Sequence, residues 1–301
     1  MSDLKLFNVS AGHVSELVGG SVALERSLQT LMEENLEAFL GVRFLASEFS
    51  TTKPDPGRID TLGIDENNTP VIIEYKRSLN QNVINQGLFY LNWLMSHQAD
   101  FTLLAMKVLG PEIEEVIDWS SPRLICIAGD FTRYDEYSVA EINRSIELIR
   151  YRKYGDEFML LELVNSVTGT PTASGTNAGT KTKSKSVTEY IDQSPTSLRD
   201  LYEATESFLS ALGDDVSKKI TQLYVAFRRI KNFACIEVHP QSQKIAVFVK
   251  VDPDMVDLEP GFTRDVRGIG HFGTGDLEIT LTTLSDLEKA HPLLVLSYEA
   301  S

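Results

Sequence analysis

The sequence predicts two domains, an α/β domain with a mostly central sheet followed by a smaller α+β domain. Three observations carry this. Residues 168–186, TGTPTASGTNAGTKTKSKS, are almost entirely Thr, Ser, Gly, Ala, Asn and Lys, and so poor in apolar side chains that they read as a flexible linker. Before them, apolar periods alternate in the order α-β-β-β-α and then strand-helix-strand, a mixed order that belongs to α/β domains. After them, helical stretches lead into strands and a closing helix. The predicted boundaries are 1–167, 168–186 and 187–301, and 301 residues suffice for two ordinary cores.

In chain order, residues 22–40 form a helix, because Leu24, Leu28, Leu31, Leu36, Phe39 and Leu40 recur at helical spacing and Gly41 follows as a stop. RFLASEFST and RIDTLGI read as strands. ENNTP is a turn, since Asn and Pro favour turn conformations, and TPVIIEYKR is the third strand. Residues 78–97 are helical through Val83, Ile84, Leu88, Leu91 and Leu94, and 100–109 form another helix. PRLICIAGDF is a buried strand, 135–144 a helix, and SIELIRYRKYG and EFMLLELV two late strands. Beyond the linker, SLRDLYEATESFLSAL and a second segment through VAFRRI read as helices. ACIEVHP and KIAVFVKV form a hairpin around PQSQ, DLEITLTTL is a strand, and SDLEKAHPLLVLSYEA is a helix capped by Ser285 with Glu288 in capping-box spacing.

Composition narrows the function. With 42% apolar and 24% charged residues the chain is of the soluble globular type. It has no apolar run of about 18 residues to span a membrane and no secretory leader at its start. Cys126 and Cys235 sit singly in strand-like runs, and the five histidines are scattered, so neither a disulfide framework nor a zinc site emerges. A cytoplasmic location is expected. The net charge of −15 opposes loose nucleic-acid binding. Residues 1–167 carry 14 Lys+Arg against 25 Asp+Glu, and residues 187–301 carry 11 against 18, so any such binding must use a local basic patch.

The stretch GRIDTLGIDENNTPVIIEYKRS, residues 57–78, concentrates the chemistry. Residues two apart on a strand share a face, so Glu74 and Lys76 project together with Ile72. If ENNTP makes the turn, Asp60 falls opposite the Glu74–Lys76 region at the open end of the hairpin. Two carboxylates and one lysine at a sheet end suit a hard cation with oxygen ligands, and with it metal-assisted hydrolysis of a phosphodiester.

Asp60 followed by Glu74-Tyr75-Lys76 resembles the D…(D/E)-x-K core of the PD-(D/E)XK, or restriction-endonuclease-like, nuclease superfamily. GRIDTLGID with VIIEYKR is similar to its NucS-type branch. The resemblance covers residues 20–165 and implies an αβββαβ core. It also implies that a glutamate of the first helix completes the metal site, Glu25 being the best match and Glu34 the alternative. Gln86 and Tyr90 fit the QxxxY element of RecB-like members, and lie on one helix face. One departure is Ile59, where the superfamily's name has proline. The C-terminal segment resembles a small bacterial domain of unknown function found behind such nucleases.

The resemblance implies a Mg²⁺- or Mn²⁺-dependent endonuclease that hydrolyses phosphodiester bonds in DNA, of repair, restriction or defence type. Asp60, Glu74 and Lys76 would be catalytic. Glu25, Asp60, Glu74 and the Tyr75 carbonyl would hold the metal, and Arg58, Gln86 and Tyr90 would contact substrate. The expected associations are with DNA, with a second copy of the chain, and with a protein partner through the C-terminal domain, but not with a membrane. Two other readings stand beside it: a catalytically silent nuclease-fold scaffold, and a transport-associated regulator, a label attached to some relatives. Asp65 reads as a turn residue, and Glu48 has no assigned role. Gly268-Ile-Gly270-His-Phe-Gly273 matches a dinucleotide fingerprint in letters only, because a strand rather than a helix follows it. The loop around Arg264, Arg267 and His271, and the Arg228-Arg229-Lys231 cluster at a helix end, are candidate contact surfaces.

Overall fold

The fold begins with a hairpin that the sequence reading passed over. β1 (Leu6–Ser10) and β2 (His13–Leu17) pair antiparallel, Val9 against Val14, and turn on Ala11 and Gly12, both at positive φ. The computed structural model describes residues 4–22, 25–51, 56–76, 82–169 and 185–301. Leu24, Arg77 and residues 170–184 of the expected linker lie outside these. The chain divides into two units, Met1–Ala173 and Ser174–Ser301, each with its own apolar cluster.

In the first unit a short β3 (Gly19–Gly20) precedes α1 (Glu25–Glu34) and α2 (Leu36–Leu40). The helix expected over 22–40 is therefore two helices. Asn35 separates them and its side chain donates to the Leu31 carbonyl, a local bond that competes with the helical ladder. Gly41 ends α2 in the left-handed conformation (φ 62°), and its N–H returns to Glu37. The chain then forms β4 (Val42–Ser50), β5 (Arg58–Asp65), β6 (Pro70–Lys76), α3 (Asn82–Ser96), α4 (Gln98–Leu109), β7 (Arg123–Ala128), α5 (Arg133–Ala140), β8 (Ser145–Tyr154) and β9 (Phe158–Val167). α5 starts and ends earlier than the sequence suggested, because Thr132 and Asp135 make a capping box.

The sheet order is β3-β8-β7-β6-β5-β4, with β9 also paired to β8. β6, β7 and β8 run parallel at its centre, and antiparallel strands flank them. Ile72, Leu124, Cys126 and Leu148 pack with Val83, Ile84, Leu91 and Leu94 of α3. Each fully buried Leu or Ile contributes about 1.5–3 kcal/mol, so this layer fixes the height at which β6 ends. At the turn between β5 and β6, Asp65 Oδ1 accepts the N–H groups of Asn67 and Thr69, each at 2.8 Å. Its Oδ2 meets Arg123 Nη1 at 2.8 Å, and the other edge of that guanidinium holds Glu147 at 2.8 and 2.9 Å. Asp65 is thus a turn acid at the end of the hairpin opposite Asp60.

The second unit contains α6 (Val187–Asp192), α7 (Thr196–Ser210), β10 (Ser217–Ile220), β11 (Val225–Arg228), β12 (Asn232–His239), β13 (Lys244–Val249), β14 (Thr263–Asp265), β15 (Leu277–Leu281) and α8 (Leu284–Glu299). Its sheet order is β10-β11-β12-β13-β15-β14. The segment through VAFRRI is not a helix. Val225 to Arg228 are buried on both faces and pair with β12, a tertiary demand that overrides their local pattern. Thr283, not Ser285, caps α8, in a box with Asp286. Among the described residues no helix is long and apolar enough to cross a membrane.

Candidate functional site

The β5–β6 ladder stops one step short of the acids. Its last pair is Thr61 opposite Ile73, which leaves Asp60 and Glu74 facing each other where the strands part. Their carboxylates take over from the main chain: Asp60 N–H donates to Glu74 Oε1 (3.2 Å), and Tyr75 N–H donates to Asp60 Oδ2 (3.0 Å). Each acid caps the backbone of the other strand. The pair therefore sits at the carboxyl end of parallel strand β6, the usual place for ligands in such sheets.

Glu74 is fully buried, and its Oε2 has no hydrogen-bond partner. Burial, and then the negative charge of Asp60, push its carboxyl up to about 9, against the opposing pull of the Asp60 N–H and Lys76. Asp60 is also raised, chiefly by burial, while the Tyr75 N–H and Lys76 draw it down and Glu48 and Glu25 raise it further. Two adjacent carboxylates, one with an orphaned buried oxygen, form a donor set that a hard cation satisfies. Mg²⁺ is commonly held by one or two carboxylates and completed by water and substrate phosphate. Among the described residues, no group of three or more His, Cys, Asp or Glu is gathered as a metal cage.

The outer residues explain why. Lys76 Nζ lies 3.2 Å from Glu25 Oε1, in the first turn of α1, so the helix acid meets the lysine. Glu34, the alternative, is exposed at the far end of that helix. Tyr75 has a fully buried side chain whose hydroxyl accepts from Thr61 at 3.3 Å, leaving only its carbonyl for the expected role. Tyr90 is buried and its hydroxyl accepts the Arg58 N–H at 3.0 Å, so α3 holds the start of β5. Gly57 permits this approach, since a Cβ there would lie 2.7 Å from the Tyr90 ring. Gln86 is half-buried one turn earlier on the same helix. Arg58 is exposed and its Nε pairs with Glu48 Oε2.

Sequence reasoning missed two residues here. Gln29, buried on α1, donates to the Asp60 carbonyl at 2.9 Å and to Ser47 Oγ and Glu33 Oε1, tying the helix to β5. A polar residue at a buried position in the helical pattern was the available signal. Glu48 is the other. A bulge between Phe44 and Ala46 shifts the register, so that Ser47 pairs with Thr61 and Phe49 with Ile59, with Glu48 between them across from Asp60.

The second unit's candidate contact residues are largely matched within it. Arg229, in a strand-end turn, meets Asp215 at 2.6 Å and lies over the Tyr298 ring, and Arg228 is buried. Arg264 pairs with Glu278, and Arg267 pairs with Asp254 and Asp265. His271 stacks on Phe248 at 4.2 Å. Residues 268–273 form no helix, and β15 follows them.

Residues 187–301 match the family described as Domain of unknown function (DUF5655). A Haemophilus influenzae protein described as an uncharacterized protein is 28% identical over 295 residues, covering 95% of this chain and 96% of its own. The crystal structure of a repair endonuclease from Pyrococcus abyssi aligns at 17% identity with a TM-score of 0.30. That alignment covers 46% of this chain and 51%, about half, of the endonuclease chain.

Proposed function

We propose that the first unit is a divalent-cation-dependent endonuclease that hydrolyses phosphodiester bonds in DNA, with the second unit as an accessory module. The observation that carries this reading is the meeting of Asp60 and Glu74, beside Lys76, where the β5 and β6 strands part, with a buried carboxylate oxygen left without a partner. Asp60 and Glu74, with the Tyr75 carbonyl, would hold Mg²⁺ or Mn²⁺. Such an ion supplies charge to polarise the phosphate and to lower the pKa of a bound water.

The chain's own residues do the rest. Lys76, as an ammonium, orients the attacking water or donates to the phosphate oxygen on which charge develops. Water oxygen bonds to phosphorus and gives up a proton to solvent, the phosphorus–oxygen bond to the leaving sugar breaks, and the leaving oxygen takes a proton from solvent. Glu25 positions Lys76 through their contact, and Gln29 and Tyr90 hold the backbone on either side of Asp60. Arg58 is the exposed cation beside the acids and is the candidate for a phosphate of the DNA strand. The net charge of −15 favours a guided substrate or a protein partner over unassisted DNA binding.

The test is a cleavage assay on single-stranded, duplex, branched and mismatched DNA with Mg²⁺ or Mn²⁺, comparing wild type with Asp60→Asn. Wild type should cut at least one substrate only when metal is added, and Asp60→Asn should lose that activity. Metal-dependent cutting that survives in Asp60→Asn would overturn the reading. Wild type that binds Mn²⁺ and cuts nothing would favour the silent scaffold.

A further inference from the structure

We infer that Glu48 is a further carboxylate of the cation site, held off it by Arg58 until a phosphate draws the guanidinium away. This rests on the reading of Asp60 and Glu74 given above. The bulge in β4 is what sets Glu48 across from Asp60. Had the register of Val42 with Asp65 continued, Ser47 would lie across from Asp60; the added residue puts Glu48 there instead. Glu48 also holds a left-handed backbone (φ 52°), unusual for a residue with a side chain. Its charge reaches Asp60, where it counts among the influences that raise that carboxyl.

Two ion pairs keep the outer acids from the inner ones, Glu25 with Lys76 and Glu48 with Arg58. The inner site still presents the unpartnered Oε2 of the fully buried Glu74, an independent sign that an ion or donor belongs there. The outer pairs differ in how easily they open. Lys76 is only 17% exposed, whereas the Arg58 side chain is 66% exposed. The pair is open at its Arg58 end, although Glu48 is only 27% exposed, and charge-assisted Arg–phosphate bonds are often bidentate. A DNA phosphate can therefore reach Arg58 from solvent and compete with Glu48 for it. Arg58 and Asp60 lie two apart on β5 and share a face, so that phosphate would arrive beside the inner acids. Glu48 is then an unmatched anion across from Asp60, and a cation is the group that compensates both.

The test is calorimetric titration of full-length protein with Mn²⁺, run on wild type, Arg58→Ala, Glu48→Gln and the double variant, with tryptophan-fluorescence melting to confirm folding. Arg58→Ala should bind Mn²⁺ about tenfold or more tightly than wild type, or take up a second ion. Glu48→Gln should bind like wild type, and Arg58→Ala should have no effect in the Glu48→Gln background. That last comparison separates a ligand from simple charge relief, which would persist without Glu48. Unchanged Mn²⁺ binding in Arg58→Ala, or an effect that survives in the double variant, overturns the inference alone. If Mn²⁺ binding is indifferent to Asp60→Ala and Glu74→Ala, the parent reading falls instead.

Discussion

Replacing Glu74 by glutamine should stabilise the protein while destroying the proposed site. Glu74 is fully buried, and its carboxyl is moved from an ordinary value of 4.5 to about 9. In the unfolded chain at pH 7 this group is ionised, so folding must take up a proton. A raised acid binds more protons folded than unfolded, so its contribution is neutral below 4.5 and turns progressively unfavourable up to about 9. At about 1.4 kcal/mol per pH unit, the penalty at pH 7 is on the order of 3 kcal/mol, and larger at pH 9. Glutamine keeps the shape, needs no proton, and can donate its amide to Asp60. Glu74→Gln should therefore resist urea better than wild type at pH 7, by more at pH 9, and equally at pH 4.5. The assay is selective, because both tryptophans, Trp93 and Trp119, belong to the first unit, so their fluorescence reports on it. Saturating Mn²⁺ should close the gap by stabilising wild type only, by about 2.7 kcal/mol at a hundredfold excess over Kd. A Glu74→Gln protein that is no more stable at pH 7–9, or whose advantage does not grow with pH, would refute the reasoning.

Two further predictions concern stability away from the inner acids. Arg123→Met should destabilise the first unit by about 3–5 kcal/mol, since it strands Asp65 and Glu147 as buried, uncompensated charges. Adding Asp65→Asn and Glu147→Gln should recover much of the loss in the same urea assay. In the second unit, Ser297 is fully buried, donates to the Phe233 carbonyl at 2.6 Å and accepts the Lys250 N–H at 2.8 Å. Ser297→Ala should cost about 1–3 kcal/mol there and speed hydrogen exchange at the Lys250 amide.

What the sequence made legible and what it hid separate along a physical line. The relation of Asp60 to Glu74 and Lys76 was readable because a strand's period of two and one short turn settle it locally. Tyr90 was readable as one helical turn from Gln86, yet its hydroxyl holds the Arg58 backbone, a contact that depends on how α3 sits on the sheet. Glu48 was not readable, because one bulge residue decides which side chain faces Asp60. The VAFRRI segment misled for a similar reason: Val225 to Arg228 are strand because β12 lies beside them, not because of their own spacing. The N-terminal hairpin was missed because its strands are short and their apolar residues, among them Phe7, Val9 and Val14, lie exposed and mark no core-facing side.

The central claim, that Lys76 acts on a phosphodiester beside a cation that Asp60 and Glu74 would hold, is tested most directly by cleavage and binding measured together on Lys76→Ala. Its Mn²⁺ affinity should not fall, since the proposed ligands are carboxylates and Glu25 loses its ion pair with Lys76, and its DNA affinity should stay near that of wild type. Single-turnover cleavage should fall by orders of magnitude, because an interaction made chiefly in the transition state is gone. Lys76→Arg should not restore it, since guanidinium differs in shape and in how it donates. Cleavage by Lys76→Ala at the wild-type rate would contradict the account.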